Sequence, residues 1–120
     1  MPNRIAQRRR EEFSVRRSNE DLLRVTFDKE DDQIVQFSIQ YLAFLRGVWR
    51  PIVRIDTAHG RAHIDASHPD GTQDTRELHI QDYNVALTWA IEELRTRWKF
   101  YRERYERELH DDTPRTNATK

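Results

Sequence analysis

The sequence predicts an α+β domain in which an antiparallel β-meander of four to five strands packs on one long C-terminal α-helix. Apolar residues recur at every second position between Leu23 and His79, as they do when alternate side chains of a strand point to opposite faces. The period changes at Asp82, after which apolar residues recur at intervals of three and four, the spacing of a helix face. Turn-forming residues separate the alternating stretches, which favours short connections between neighbouring strands.

The composition fits one small domain with a charged exterior. Of the 120 residues, 36% are hydrophobic and 35% are charged, so a thin apolar core must lie behind an unusually polar surface. Lys and Arg number 21, as do Asp and Glu, and this balance gives no reason to expect a general affinity for nucleic acids or acidic membranes. We expect a basic N-terminal arm over 1–12, a single α+β domain over 13–110 and a disordered tail over 111–120.

Several classes of protein are disfavoured by what the sequence lacks. It has no cysteine, which excludes disulfides, thiolate zinc sites and a cysteine nucleophile. It has no apolar run near 18 residues and no apolar run typical of a secretion signal at its N-terminus. With only three glycines it also has no glycine-rich phosphate loop. We therefore expect a cytoplasmic protein with no membrane partner and no cofactor.

The first two predicted strands flank an acidic run. Alternation marks one strand near Leu23 to Phe27 and a second, the clearest half-buried pattern, over 35–43. The run 28–32, Asp-Lys-Glu-Asp-Asp, should form the turn between them, because unpaired carboxylates are not buried. Arg46-Gly47 should end the second strand.

The remaining predicted strands follow in short segments. A third runs from about Val48 to Thr57 and a fourth from Arg61 to Asp65, joined by a tight turn at His59-Gly60. His68-Pro69-Asp70-Gly71 has turn chemistry at every position. A final short strand is expected over 75–80.

The C-terminal helix is expected from about Asn84 to His110, capped by Asp82 or Asn84. Its apolar stripe steps by four and three: Leu87, Ile91, Leu94, Trp98, Tyr101 and Tyr105. At 1.5 Å per residue the helix would be roughly 40 Å long, longer than a typical strand of roughly 17 to 20 Å. Its last turns should therefore pack on the N-terminal segment or on another subunit.

The aromatic residues near the end of this helix have two interpretations. They can complete the core, or they can form a partner-binding face, and Phe100 lies off the main stripe. The second interpretation makes the protein a non-enzymatic interaction module that docks on a partner or forms a homodimer. The residues expected at that interface are Trp98, Phe100, Tyr101 and Tyr105.

Polar chemistry concentrates in the hairpin around Gly60. A two-residue turn at His59-Gly60 sets Asp56 opposite His63 and Arg54 opposite Asp65, with these four side chains on one face. Moving the turn by one residue keeps the same four residues on that face. The candidate catalytic residues are Arg54, Asp56, His59, His63 and Asp65.

These residue types have three interpretations, two catalytic and one structural. A carboxylate beside an imidazole can prepare a general acid or base, and a guanidinium can hold a phosphate, as a metal-independent ribonuclease requires. The same residues can also be ordinary cross-strand pairs on a solvated sheet. A metal-dependent hydrolase is the third possibility, because His59, His63 and His68 with Asp56 or Asp65 are competent ligands.

The stretch Arg54-Ile55-Asp56-Thr57-Ala58-His59, followed by His63, resembles the "R-aromatic-D-N-x-H" stretch and downstream histidines of the TumE-type toxins of prokaryotic toxin-antitoxin systems. Ile55 and Thr57 replace the aromatic residue and the Asn of that pattern, and the family's close histidine cluster is spread here over His63 and His68. The resemblance implies a toxin that acts on RNA or translation and is neutralised by a cognate antitoxin. Arg54, Asp56, His59 and His63 are the positions that match.

The chain also resembles stand-alone prokaryotic or phage-borne proteins that carry an "RYDTAHG" pattern and then an "HPDG" pattern before a long helix. The corresponding residues here are 54–60 and His68-Pro69-Asp70-Gly71. This resemblance implies an intracellular microbial protein and indicates no activity.

Overall fold

The computed structural model describes residues 7–111. Six strands precede one helix, with short connections between the strands. The strands are β1 (Arg8–Ser18), β2 (Asp21–Glu30), β3 (Gln33–Leu45), β4 (Val48–Asp56), β5 (His63–Ser67) and β6 (Gln73–Glu77), and the helix is α1 (Tyr83–Asp111). A short 3-10 turn, Ala58–Gly60, lies between β4 and β5.

The six strands form one antiparallel sheet in the order β1-β2-β3-β4-β5-β6, so the predicted meander is confirmed. Helix α1 packs on one face of this sheet, chiefly against β3 and β4. We call this the helix face and the opposite side the open face. Side chains alternate between the two along β3, where Phe37, Ile39 and Tyr41 are buried beneath the helix. Four of the five predicted catalytic residues belong to β4 and β5 and lie on the open face.

The sheet has one strand more than the four to five that the sequence predicts. The additional strand is β1, which includes residues 8–12 of the predicted basic arm and pairs along its length with β2. Its residues from Arg8 to Ser14 are all exposed, so the apolar alternation that identifies the other strands is missing. Residues 1–6 of the arm and 112–120 of the predicted tail lie outside the described residues, and Asp111 belongs to α1.

The predicted turn over 28–32 is wrong for its first three residues, which belong to β2. Asp28 among them is only 5% exposed. Arg8 donates to Asp28 at 3.0 Å and Arg10 donates at 2.9 Å, while Gln36 donates at 3.0 Å. Since these donors replace water, the carboxylate can be buried. The reversal itself occurs at Asp31-Asp32.

Helix α1 begins as predicted, and its length matches the sheet. Asp82 Oδ1 accepts from the backbone N–H groups of Asn84 and Val85 at 2.8 and 3.3 Å, which confirms the Asp82 cap. The 29 residues of α1 span about 43 Å, and the 13 residues of β3 span about the same length. Strand β3 is much longer than the average strand with which the helix was compared, so the helix and this strand are similar in length.

The second half of α1 packs over the β1–β2 connection. Trp98 meets Tyr41 edge to face with ring centroids 6.2 Å apart. Arg102 donates to Asp21 at 2.7 Å, and the Tyr41 hydroxyl also donates to Asp21. Tyr101 and Tyr105 are buried in the core. The aromatic stripe therefore mainly completes the core.

The predicted last strand is shorter than expected. Strand β6 ends at Glu77 rather than Ile80, and two residues later His79 adopts a left-handed backbone with φ of 59°. A residue with this backbone cannot continue a strand, so the chain turns here toward α1.

Candidate functional site

The β4–β5 hairpin has the register that the sequence predicts. Arg54 pairs with Asp65, Ile55 with Ile64 and Asp56 with His63. Ile55 and Ile64 are buried on the helix face, so the polar residues alternating with them project from the open face. The structure therefore brings together four of the five predicted site residues, which we call the His63 cluster: Arg54, Asp56, His63 and Asp65.

Both ring nitrogens of His63 face oxygen acceptors. Nε2 lies 3.1 Å from Asp56 Oδ1 and 3.3 Å from Asp65 Oδ2. Nδ1 lies 3.1 Å from the backbone carbonyl of Arg61. A carbonyl oxygen only accepts, so Nδ1 donates to it, and Nε2 faces the two carboxylate acceptors. The arrangement fixes the tautomer and orientation of the imidazole, as a proton-transfer residue requires.

The two carboxylates are themselves held in place. Asp56 Oδ1 accepts from the backbone N–H of Ala58 at 3.2 Å, and Asp65 Oδ1 accepts from the Thr75 hydroxyl at 2.6 Å. The side chains of His63, Asp56 and Asp65 are 16%, 13% and 15% exposed. These three side chains are thus largely sheltered from water, which strengthens the electrostatic interactions between them.

Arg54 stands at the solvent side of the cluster. Its Nε lies 3.9 Å from Asp56 Oδ2, and its side chain is 51% exposed. A guanidinium in this position is only weakly engaged by the protein and retains donors for an anionic ligand.

His59 does not join the His63 cluster. It lies in the 3-10 turn with a left-handed backbone, φ 64° and ψ 22°, and is exposed. Within residues 7–111 it contacts no carboxylate that could orient its ring. Its positive φ, with that of Gly60 at 80°, serves the chain reversal between β4 and β5.

The histidines proposed as metal ligands lie apart. His68 follows β5, at the opposite end of that strand from His63, so their Cα atoms are about 16 Å apart at 3.3 Å per residue. In the described part of the chain, no group of three or more His, Cys, Asp or Glu residues is placed to hold a metal ion. The geometry therefore gives no support to the predicted metal-dependent alternative.

His68 has its own pair of acidic partners. Nδ1 lies 2.6 Å from Glu108 Oε1 and Nε2 lies 2.9 Å from Asp74 Oδ2. Hydrogen bonds to Glu108 and then Asp74 raise the pKa of His68 above its ordinary value. Since Glu108 belongs to α1, this imidazole joins the β5–β6 turn to the end of the helix.

One concave region adjoins the His63 cluster. It is an open groove of about 390 Å³ that runs along β1 to β4, bordered by Arg10, Gln36 and Asp56 among others. A separate cavity of about 500 Å³ is lined by residues that include Arg61, Glu77 and His79, and by none of the four cluster residues. The Asp56 carboxylate is thus at the edge of a space that a ligand can enter.

Glu77 is a neighbour of the His63 cluster that the sequence analysis missed. It pairs with His63 in the β5–β6 ladder, accepts from Arg61 at 3.0 Å and lies 3.1 Å from Nδ1 of His79. Extending the hairpin pattern by one strand would have suggested this neighbour. The length of the β5–β6 turn, however, leaves that register open at the level of sequence.

Of the four aromatic residues predicted at a homodimer interface, the structure leaves only Phe100 largely exposed. Tyr101 and Tyr105 are buried, and Glu93 accepts from the Tyr101 hydroxyl at 2.6 Å. Burial, with this hydrogen bond, raises the pKa of Tyr101 to about 12. Trp98 is partly buried against the core. Phe100 remains 46% exposed, with the Arg97 guanidinium 4.6 Å from its ring centroid.

Within residues 7–111 no helix is both long enough and apolar enough to cross a membrane.

Comparison with known proteins identifies a family and no function. No curated protein and no solved structure matches the chain. A family model described as "Domain of unknown function (DUF7718)" matches residues 8–111, which is most of the chain. The chain therefore belongs to the DUF7718 family.

Proposed function

We propose that this protein is a metal-independent ribonuclease of the kind found among TumE-type toxins, active in the prokaryotic cytoplasm and neutralised by a cognate antitoxin. The observation that carries the proposal is the placement of His63 between Asp56 and Asp65, with Arg54 exposed beside them. These groups supply proton transfer and phosphate binding without a metal ion. The resemblance of residues 54–59 to the TumE pattern supports the same activity.

In the proposed reaction the ribose 2′-oxygen attacks the adjacent phosphorus and the bond to the 5′-oxygen breaks. His63 Nε2 donates a proton to the departing 5′-oxygen, and a carboxylate of the cluster accepts the proton of the 2′-hydroxyl. Asp56 orients His63, and Arg54 stabilises the charge that develops on the phosphate oxygens. His63 fits the acid role better than His59 because its ring is fixed at both nitrogens.

The test measures cleavage of a labelled RNA and growth inhibition upon expression. We expect His63→Ala to reduce the cleavage rate by about 10²- to 10⁴-fold and to abolish growth inhibition, with little change in Tm. His59→Ala is the matched control, because it removes a histidine of the same hairpin that lies outside the cluster, and it should retain activity. Full cleavage by the His63→Ala variant would refute the proposal, as would a parent protein that neither cleaves RNA nor inhibits growth.

A second candidate function is a non-enzymatic interaction module that docks through α1. The observation that favours it is the exposure of Phe100, a large aromatic residue whose ring makes a cation–π contact with the Arg97 guanidinium. If this candidate is correct, the protein should be a dimer by sedimentation and Phe100→Ala should dissociate it. A monomeric parent protein that cleaves RNA would exclude this homodimer as the source of activity.

A further inference from the structure

The open face carries an aromatic pair at the end remote from the His63 cluster. Phe44 and Trp49 are opposite each other in the β3–β4 ladder, with ring centroids 5.5 Å apart and planes at 60°. Trp49 is 43% exposed, although tryptophan is usually well buried. Phe44 alternates with the buried residues Ala43 and Leu45, so the pair projects away from α1.

A polar row, which ends at Arg54 of the His63 cluster, lies between this pair and His63. Arg24 pairs with Gln40, and Gln40 pairs with Arg54, so the three side chains cross three neighbouring strands in line. Trp49 precedes Arg54 along β4, where Ile52 forms a bulge. The aromatic pair is therefore about 13 Å from the row, counting four strand steps of about 3.3 Å.

The cations of this row are available to a ligand. Arg24 is exposed, and within residues 7–111 its guanidinium has no hydrogen bond or ion pair. Arg54 is half exposed, and its Nε is 3.9 Å from the Asp56 carboxylate. By contrast, Arg8 and Arg10 of β1, on the same face, are bound to Asp28. Arg16, the third β1 arginine on this face, donates to the backbone carbonyls of Ser18 and Asn19. Arg24 and Arg54 are thus the open-face guanidinium groups best placed to contact a phosphate.

We propose that Trp49 and Phe44 form a base-stacking platform and that Arg24 and Arg54 hold the phosphates that follow, so that the substrate is single-stranded RNA. Exposed aromatic rings combined with cations are how proteins bind unpaired nucleotides without reading their sequence. A duplex is disfavoured because its bases are stacked inside an A-form helix and cannot reach a ring on a sheet surface. The inference deepens the proposed ribonuclease function by naming the class of RNA and the path it follows to His63.

Binding is measured by fluorescence anisotropy with a fluorescein-labelled single-stranded 12-nucleotide RNA, in a His63→Ala background that prevents cleavage. Trp49→Ala should weaken binding by about 5- to 140-fold, because it removes the ring on which one base stacks. Trp49→Phe should restore most of the affinity because a ring remains. Val48→Ala is the matched control: Val48 is 48% exposed, is adjacent in β4 and projects from the other face, so its loss should leave affinity unchanged.

Two further measurements separate the phosphate contacts from other causes. Arg24→Gln should weaken binding and reduce the dependence of affinity on salt, because one phosphate contact is removed. The same sequence as a duplex RNA should bind at least tenfold more weakly. Equal binding of duplex and single strand, or an unchanged affinity in Trp49→Ala, would overturn the inference.

The outcomes also distinguish this inference from the proposed function. If the Trp49→Ala variant cleaves RNA as fast as the parent protein does, the ribonuclease proposal stands and the stacking platform is overturned. A protein that binds single-stranded RNA through Trp49 but does not cleave it retains the platform and removes the ribonuclease activity. If Trp49→Ala instead converts a dimer to a monomer without affecting RNA binding, a second copy covers this face and the inference is overturned.

Discussion

Two buried aspartates on strand β2 show how differently the two faces of the sheet are built. Asp21 lies on the helix face and is 3% exposed, and Asp28 lies on the open face and is 5% exposed. Asp21 is bound by Tyr41, which is itself fully buried, and by Arg102 of α1. Asp28 is bound by Arg8 and Arg10, whose side chains are more than half exposed.

The difference lies in what happens to the partners when the carboxylate is removed. The partners of Asp28 can turn to water, so they keep their hydrogen bonds. Tyr41 cannot, and Arg102, with a side chain 17% exposed, can do so only in part. A buried donor without an acceptor lowers the stability of the fold by the full free energy of its desolvation. The helix face should therefore determine stability, whereas the open face can change its polar residues at low cost and is free to carry function.

The largest effect is expected at Asp21. Asp21→Ala should lower the free energy of unfolding by about 3 to 5 kcal/mol, because it leaves the Tyr41 hydroxyl and the Arg102 guanidinium without their shared acceptor. Urea denaturation measures the change. Adding Tyr41→Phe to this variant should recover part of the loss, since it removes the unpaired hydroxyl. A loss below about 1 kcal/mol would show that the two faces do not differ in this way.

Asp28→Ala should cost only about 1 kcal/mol or less, because Arg8 and Arg10 remain solvated. Hydrogen bonds from Arg10 and Arg8 hold the pKa of Asp28 below its ordinary value of 3.8. A depressed pKa contributes stability that is present above the unfolded value and is lost as pH falls through the folded value. The difference in stability between parent and variant should therefore shrink between about pH 5 and 2. A difference that does not change over this range would contradict the assigned pairing.

The smallest effect is expected at His68, which joins the strand end to the helix. Its pKa is raised above 6.5 by Glu108 and Asp74, so its contribution is fully present below pH 6.5 and is lost as pH rises through the folded value. His68→Gln should cost about 1 kcal/mol or less at pH 6 and almost nothing at high pH. His59→Gln, which alters an exposed histidine, is the control. If the loss of stability has the same pH dependence in both variants, the contacts of His68 with Glu108 and Asp74 do not contribute to stability.

Local patterns in the sequence predict much of this molecule. Alternation locates β2 to β5, and Asp82 marks the start of α1 because a side-chain acceptor is needed there. The hairpin register follows from Gly60 and from pairing Ile55 with Ile64, and it places Asp56 beside His63 without knowledge of the rest of the fold. Each of these predictions depends on residues that are close in sequence.

Contacts between distant parts of the chain could not be predicted in this way. Strand β1 has no apolar alternation and is recognised only through its pairing with β2. The sequence pattern predicts Asp28 as a turn residue, because its partners Arg8 and Arg10 lie about twenty positions earlier in the chain. The pairing of His68 with Glu108 spans 40 positions. Such contacts depend on how the elements pack, and residue spacing does not record this.

The sequence by itself determined the α+β meander, the long helix and the placement of Asp56 and Asp65 beside His63. Side-chain periodicity and turn chemistry suffice for this because they act over a few residues. Only the tertiary structure decided which face of the sheet the helix covers along its whole length and which face it leaves open. That choice follows from burying the larger apolar surface under α1. It places Trp49, Arg24 and His63 together on the side that remains accessible.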